Sequence, residues 1–150
     1  AAGPLPVSAP PATAAESRVG LRAPGWVRAV VRIASAALVR PEDAGAIVVT
    51  GSHGALIGGN PAKALQADGF AGVYNDAGIG ADGCGITRLP ALDARGIAGI
   101  TVAAASARIG DARSTFEDGA ISAANARAAA LGARVGERLR PLLERWARGA

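Results

Sequence analysis

Ala46-Ile47-Val48-Val49-Thr50-Gly51-Ser52-His53-Gly54 is the stretch on which the fold turns. Its apolar half runs without polar alternation and stops at a glycine-flanked polar group. A strand in a parallel sheet covered on both faces reads this way, because neither face meets water. The pattern recurs twice. Phe70-Ala71-Gly72-Val73-Tyr74 leads into Asn75-Asp76-Ala77-Gly78-Ile79-Gly80, and the run from Ile97 to Ala104 leads into Ser106-Ala107-Arg108-Ile109-Gly110-Asp111.

Helical signals fill the intervals. Asn60 followed by Pro61 has the chemistry of an N-cap and a first helical residue, which predicts a helix to about Asp68 closed by Gly69. A helical stretch is expected from about Asp82 to Arg95, broken by Pro90. Another is expected from about Ala120 to Ala147, its apolar positions being Leu131, Val135, Leu139, Leu142, Leu143 and Trp146, with Pro141 dividing it. Asp118-Gly119 reads as a turn and Ser122 as the cap of that last helix. Upstream, Trp26 to Leu38 suits either a helical face or a buried strand. The β-branched cluster Val27, Val30, Val31 and Ile33 favours a strand through about Ile33. Pro41 to Gly45 reads as one helical turn.

Strands alternating with helices imply βαβ units. The expectation is a small three-layer α/β domain over residues 25–150, with a mostly parallel sheet of about four strands and flanking helices. Residues 1–24 hold five of the nine prolines and no apolar period. They read as a flexible Ala/Pro-rich arm.

In open parallel sheets ligands bind beyond the carboxyl ends of the strands. All three strand exits carry glycine and short polar residues, so the expected site is one pocket where they converge. Gly51, Ser52, Gly54, Asn75, Gly78, Ser106, Arg108 and Asp111 are its candidate substrate-binding residues. Glycine there lets backbone N–H groups approach a ligand, and Arg108 can clamp a carboxylate or phosphate bidentately; its alternative is a loop-holding pair with Asp111 or Asp76. His53 is the only histidine and the side chain best suited to proton exchange near neutral pH. Asp76 is the candidate to orient or assist it, with a turn carboxylate as the alternative. Cys84, the only cysteine, is the candidate nucleophile if a helix start lowers its thiol pKa; otherwise it is a small buried residue.

Several classes fall away. One histidine and one cysteine make no metal cluster and no intramolecular disulfide, so no metal and no cofactor are expected. Lys63 follows Pro61-Ala62 rather than glycine, unlike a phosphate loop. The net charge is +4 and Lys63 is the sole lysine among sixteen basic residues. That excess of arginine, alongside Ala, Gly and Pro, reads as coding bias; no basic run is interleaved with aromatics for base stacking, so no nucleic-acid partner is expected. No apolar run approaches the roughly 20 residues of a membrane span, and a cytoplasmic location is expected. The Leu/Trp stripe near the C-terminus suits either packing on the sheet or a subunit contact, and a homo-oligomer is the expected assembly. The leading functional expectation is an enzyme doing acid/base chemistry on a small polar or anionic metabolite, hydrolase ahead of lyase or isomerase. The alternative is a non-catalytic small-molecule-binding or regulatory subunit.

Overall fold

The computed structural model describes residues 18–56, 64–79 and 81–149, the side chains of residues 81, 82 and 84 excepted. A six-stranded sheet runs in chain order, β1 (Arg18–Leu21), β2 (Val30–Ile33), β3 (Ile47–His53), β4 (Ala71–Asn75), β5 (Ala98–Val102) and β6 (Ile121–Ala124). Strands β2 to β5 are mutually parallel, and β1 and β6 flank them antiparallel. Four α-helices join them among the described residues, α1 (Arg88–Ala94), α2 (Ala112–Asp118), α3 (Ala126–Ala130) and α4 (Leu139–Ala147).

The three apolar runs are β3, β4 and β5, three of the four interior strands, and every residue of β4 and β5 is buried. Side chains alternate between faces along a strand, and two buried clusters follow that alternation. Val30, Ile47, Val49, Val73, Ile100 and Val102 pack with Phe116 of α2 and with Leu139, Leu142, Leu143 and Trp146 of α4. Val31, Ile33, Val48 and Tyr74 pack with Ala36, Val39, Leu65 and with Ala91 and Leu92 of α1. The Leu/Trp stripe therefore packs on the sheet within the chain; Val135 alone of its positions stands well exposed. Trp146 donates from Nε1 to Leu131 O at 2.9 Å and meets Phe70 edge-on, with ring centroids 5.7 Å apart.

Several expectations are corrected. The sheet has six strands rather than about four, because its two edge strands are short and lack a continuous apolar run. Arg18–Leu21, assigned to the arm, is edge strand β1; residues 1–17 lie outside the described residues. The helix starting at Asn60-Pro61 also begins outside them, and the part that is described, residues 64–68, is not helical. Pro90 and Pro141 do not break helices: each is the third residue of its helix, where the missing N–H has no intrahelical acceptor to serve. Ala120–Ala147 is not one helical stretch, since Ile121–Ala124 pairs with β5. Ser122 caps nothing; its Oγ sits 2.9 Å from Thr101 Oγ1 across the β5–β6 pair.

Edge strand β1 is tied down by charge. Arg18 forks onto both carboxylate oxygens of Asp43, whose residue is 1% exposed, and Arg40 N–H donates to the same carboxylate at 2.8 Å. Burial pushes the Asp43 carboxyl up, but the Arg18 hydrogen bonds, the Arg40 N–H and the two guanidinium charges together hold it below the usual aspartate value. A folded-state value below the unfolded one contributes stability that is complete above the unfolded value, about 3.9, and lost as pH falls through the folded value. Urea midpoints measured from pH 6 downward are expected to fall in the acid range for the wild type. Asp43→Asn, which cannot titrate, is expected to start lower and lose less over the same interval; parallel profiles would remove the ion pair from the account.

Candidate functional site

The β3 strand runs through Gly51, Ser52 and His53 rather than ending before them, with a register irregularity between Val49 and His53. That extension brings the strand exits into contact. Gly110 N–H donates to Gly51 O at 2.6 Å, Gly54 N–H to Asn75 O at 2.8 Å, and Asn75 Nδ2 to Ala107 O at 3.0 Å. All three exits expected to converge are thus hydrogen-bonded to one another at the carboxyl edge of the sheet.

A cleft of about 550 Å³ opens at this edge. It is lined by residues 104–109 from the exit of β5, by Asn75 and Ala77 from that of β4, and by Ser114 and Asp118 of α2. Of the candidate residues, Asn75, Ser106 and Arg108 line it. Asn75 is fully buried, and its amide bridges Ala107 O and Ala77 N–H. Ser106 Oγ donates to Ala103 O at 2.7 Å and accepts from Ala120 N–H at 2.9 Å. Both side chains therefore shape the wall. Arg108 reaches Asp111 at 3.3 Å with its side chain 80% exposed, which leaves most of its fork to solvent or ligand.

Other candidates stand behind the wall. A side chain on Gly51 would meet Gly110 C at 2.5 Å and Asp111 N at 2.7 Å; this glycine permits close backbone packing and offers a ligand no room. Gly54 is pressed likewise against Gly85 O and Thr101 Cγ2. Ser52 Oγ accepts from Ala36 N–H at 2.8 Å, and Asp111 is the N-cap of α2, accepting from Ser114 N–H at 3.0 Å. Gly78 takes a positive φ of 79° in the turn after β4. The side chain of Cys84 lies outside the described residues; its backbone belongs to the 3-10 stretch Ala81–Ile86.

His53 pairs with Asn75 across β3 and β4, and it is not among the residues that line the cleft. Its Nδ1 accepts from Ala55 N–H at 3.2 Å. A ring nitrogen that accepts carries no proton, so the neutral imidazole holds its hydrogen on Nε2. Nε2 is thus the donor of the His53 ring. Asp76 does not orient it. Instead Asp76, 4% exposed, accepts on Oδ1 from Gly78 N–H at 2.8 Å and Ala104 N–H at 3.0 Å, tying the β4 exit to the β5 exit.

Two cleft residues, Ser114 and Asp118, and one buried cation were not read as site residues from sequence, where Asp118 reads as part of a turn. The first two belong to α2, whose only local mark is Asp111 as N-cap. The cation is Arg88, 2% exposed, donating to Ala55 O at 3.0 Å and Ala64 O at 2.8 Å, with its guanidinium 4.7 Å from the Tyr74 ring centroid. Burial pushes the Tyr74 hydroxyl up to about 12 despite that charge; it donates to Ala64 O at 2.7 Å. Nothing in an arginine-rich sequence marks Arg88 as the one that goes inside. Among the described residues no group of three or more His, Cys, Asp or Glu side chains could hold a metal ion, and no helix is long and apolar enough to cross a membrane. Comparison with protein-family models, with curated proteins and with solved structures yields no match to this chain.

Proposed function

We propose that the chain is an enzyme that takes a small polar or anionic metabolite in the cleft at the carboxyl edge of its parallel strands and works on it by acid/base chemistry, with hydrolysis ahead of elimination and isomerisation. The observation that carries this reading is a cleft lined by the exits of β4 and β5, with the β3 exit hydrogen-bonded to both and Arg108 at its rim. Concave sites at strand carboxyl ends are where α/β domains hold small ligands. Arg108 anchors a carboxylate or phosphate. His53, paired across β3 and β4 with the cleft residue Asn75, donates from Nε2–H to a leaving group or a developing oxyanion, and Asp76 keeps the two neighbouring loops in register. The domain is read as three layers, supported by the two core clusters on alternate strand residues.

A second reading, binding without chemistry, is favoured by one observation: Ser106 Oγ is engaged as both donor and acceptor within the loops, so the cleft offers no free serine nucleophile there. The two readings part in one experiment. Hydrolysis of p-nitrophenyl butyrate is expected to fall roughly 100-fold in His53→Ala, the size of a lost general acid–base group, while butyrate binding is retained. Arg108→Ala is expected to weaken butyrate binding about tenfold. Full turnover in His53→Ala would leave binding alone, and unchanged butyrate affinity in Arg108→Ala would remove the cleft as the site.

A further inference from the structure

We propose that the cleft selects a dipolar ligand of the free α-amino acid class, with a short aliphatic side chain. The inference rests on the reading that this cleft is the ligand site, and names what it takes. Its two lips carry opposite charges. On one stands Arg108, mostly exposed, whose hydrogen bond to Asp111 is long and open to solvent. On the other stands Asp118, exposed, at the last turn of α2.

Buried Ser114 ties the Arg108 backbone to Asp118. Its Oγ accepts from Arg108 N–H at 3.0 Å and points its own proton at Asp118 Oδ2, 3.4 Å away. The Asp118 carboxylate is therefore one serine side chain from the Arg108 backbone, and the Arg108 guanidinium extends from that same residue, so both charges line one small cleft. Between them the wall is neutral and short, formed by Ala104, Ala105 and Ala107. Ile109, 54% exposed, adds an apolar surface.

The charges decide the ligand class. A simple carboxylate that satisfies Arg108 brings its charge toward Asp118, and a simple amine that satisfies Asp118 meets Arg108. Each gains one favourable pairing against one repulsion. A zwitterion satisfies both lips, leaves the cleft neutral, and lays its aliphatic part along the alanines and Ile109.

The test is a titration of the full chain with 2-aminobutyrate, butyrate and butylamine, followed through the backbone amide NMR signals of residues 104–109. The three probes share a carbon skeleton length and differ in charge. 2-Aminobutyrate is expected to bind at least about tenfold more tightly than either of the others, the worth of one additional charge-assisted hydrogen bond. Asp118→Asn is expected to erase that advantage over butyrate, and Arg108→Gln the advantage over butylamine. Equal affinity for butyrate and 2-aminobutyrate, unmoved by Asp118→Asn, would overturn the dipolar class and leave the anion site standing. Absence of any shift at residues 104–109 with all three probes would overturn the inference and the cleft together.

Discussion

Gly85→Ala is expected to lower the unfolding midpoint by roughly 10 °C, the combined result of about 3 kcal/mol of overpacking and the usual sensitivity of a chain this size. The reason is contact between backbones. A Cβ at Gly85 would fall inside the carbonyl oxygen of Asp76 and 2.9 Å from Ile79 Cα and from Ile79 O. None of these is the end of a side chain that can swing away. The turn they belong to is already taut: Ala77 and Ile79 hold φ values of 52° and 69°, a region that a β-branched residue seldom enters. Ile79 N–H closes on Asp76 O at 2.6 Å, and Gly85 N–H donates to Ile79 O at 2.6 Å. The added methyl group is thus expected to move Asp76 as well, and with it the bond to Ala104 N–H at the cleft. Thermal unfolding measures the first effect and the amide signals of residues 76–79 and 104 the second. Gly20→Ala on edge strand β1, where a Cβ meets nothing within 4 Å, is the control and should stay within about 0.5 kcal/mol of wild type. Equal behaviour of the two variants would show that the backbone approach under the turn is slack.

Asn125→Ala is expected to cost about 3–5 kcal/mol, because it strands several buried polar groups together. Asn125 is 7% exposed. Its Oδ1 accepts from Gly99 N–H at 3.0 Å and Ala128 N–H at 2.9 Å, and its Nδ2 donates to Leu89 O at 3.1 Å and Ile97 O at 3.0 Å. One side chain therefore joins the start of α1, β5 together with the residue before it, and the start of α3. Asn125→Asp separates shape from hydrogen bonding. The carboxyl fills the same space but, once ionised, directs negative charge at two carbonyl oxygens. Its folded-state pKa must rise, so the variant is expected to be least impaired at low pH and to lose stability as pH rises. Chemical denaturation at two pH values reads this directly. A pH-independent loss equal to that of Asn125→Ala would mean that only the space matters.

These two positions mark what a linear reading reaches. Strands β3, β4 and β5 were legible because each is a continuous β-branched and apolar run closed by glycine and polar residues, and burial on both faces leaves no other pattern. Their common carboxyl edge followed from parallel pairing. The edge strands were not legible: Arg18–Leu21 and Ile121–Ala124 are four residues each, and their strand character comes from pairing with β2 and β5. Helix α2 was missed for a related reason, since its seven residues are held by Phe116 packing into the core and by the Asp111 cap.

By itself the sequence determined the α/β class, the central strands and the loops that meet beyond them, because hydrophobic runs and glycine punctuation are local properties of the chain. Only the tertiary structure decided which groups in those loops are available. It turned Gly51 and Gly54 into close-packing positions and spent Asp76 on two backbone N–H groups. It left Arg108 and Asp118 both lining the cleft. Hydrogen-bond partners and close approaches arise between segments far apart in sequence, so no spacing along the chain encodes them.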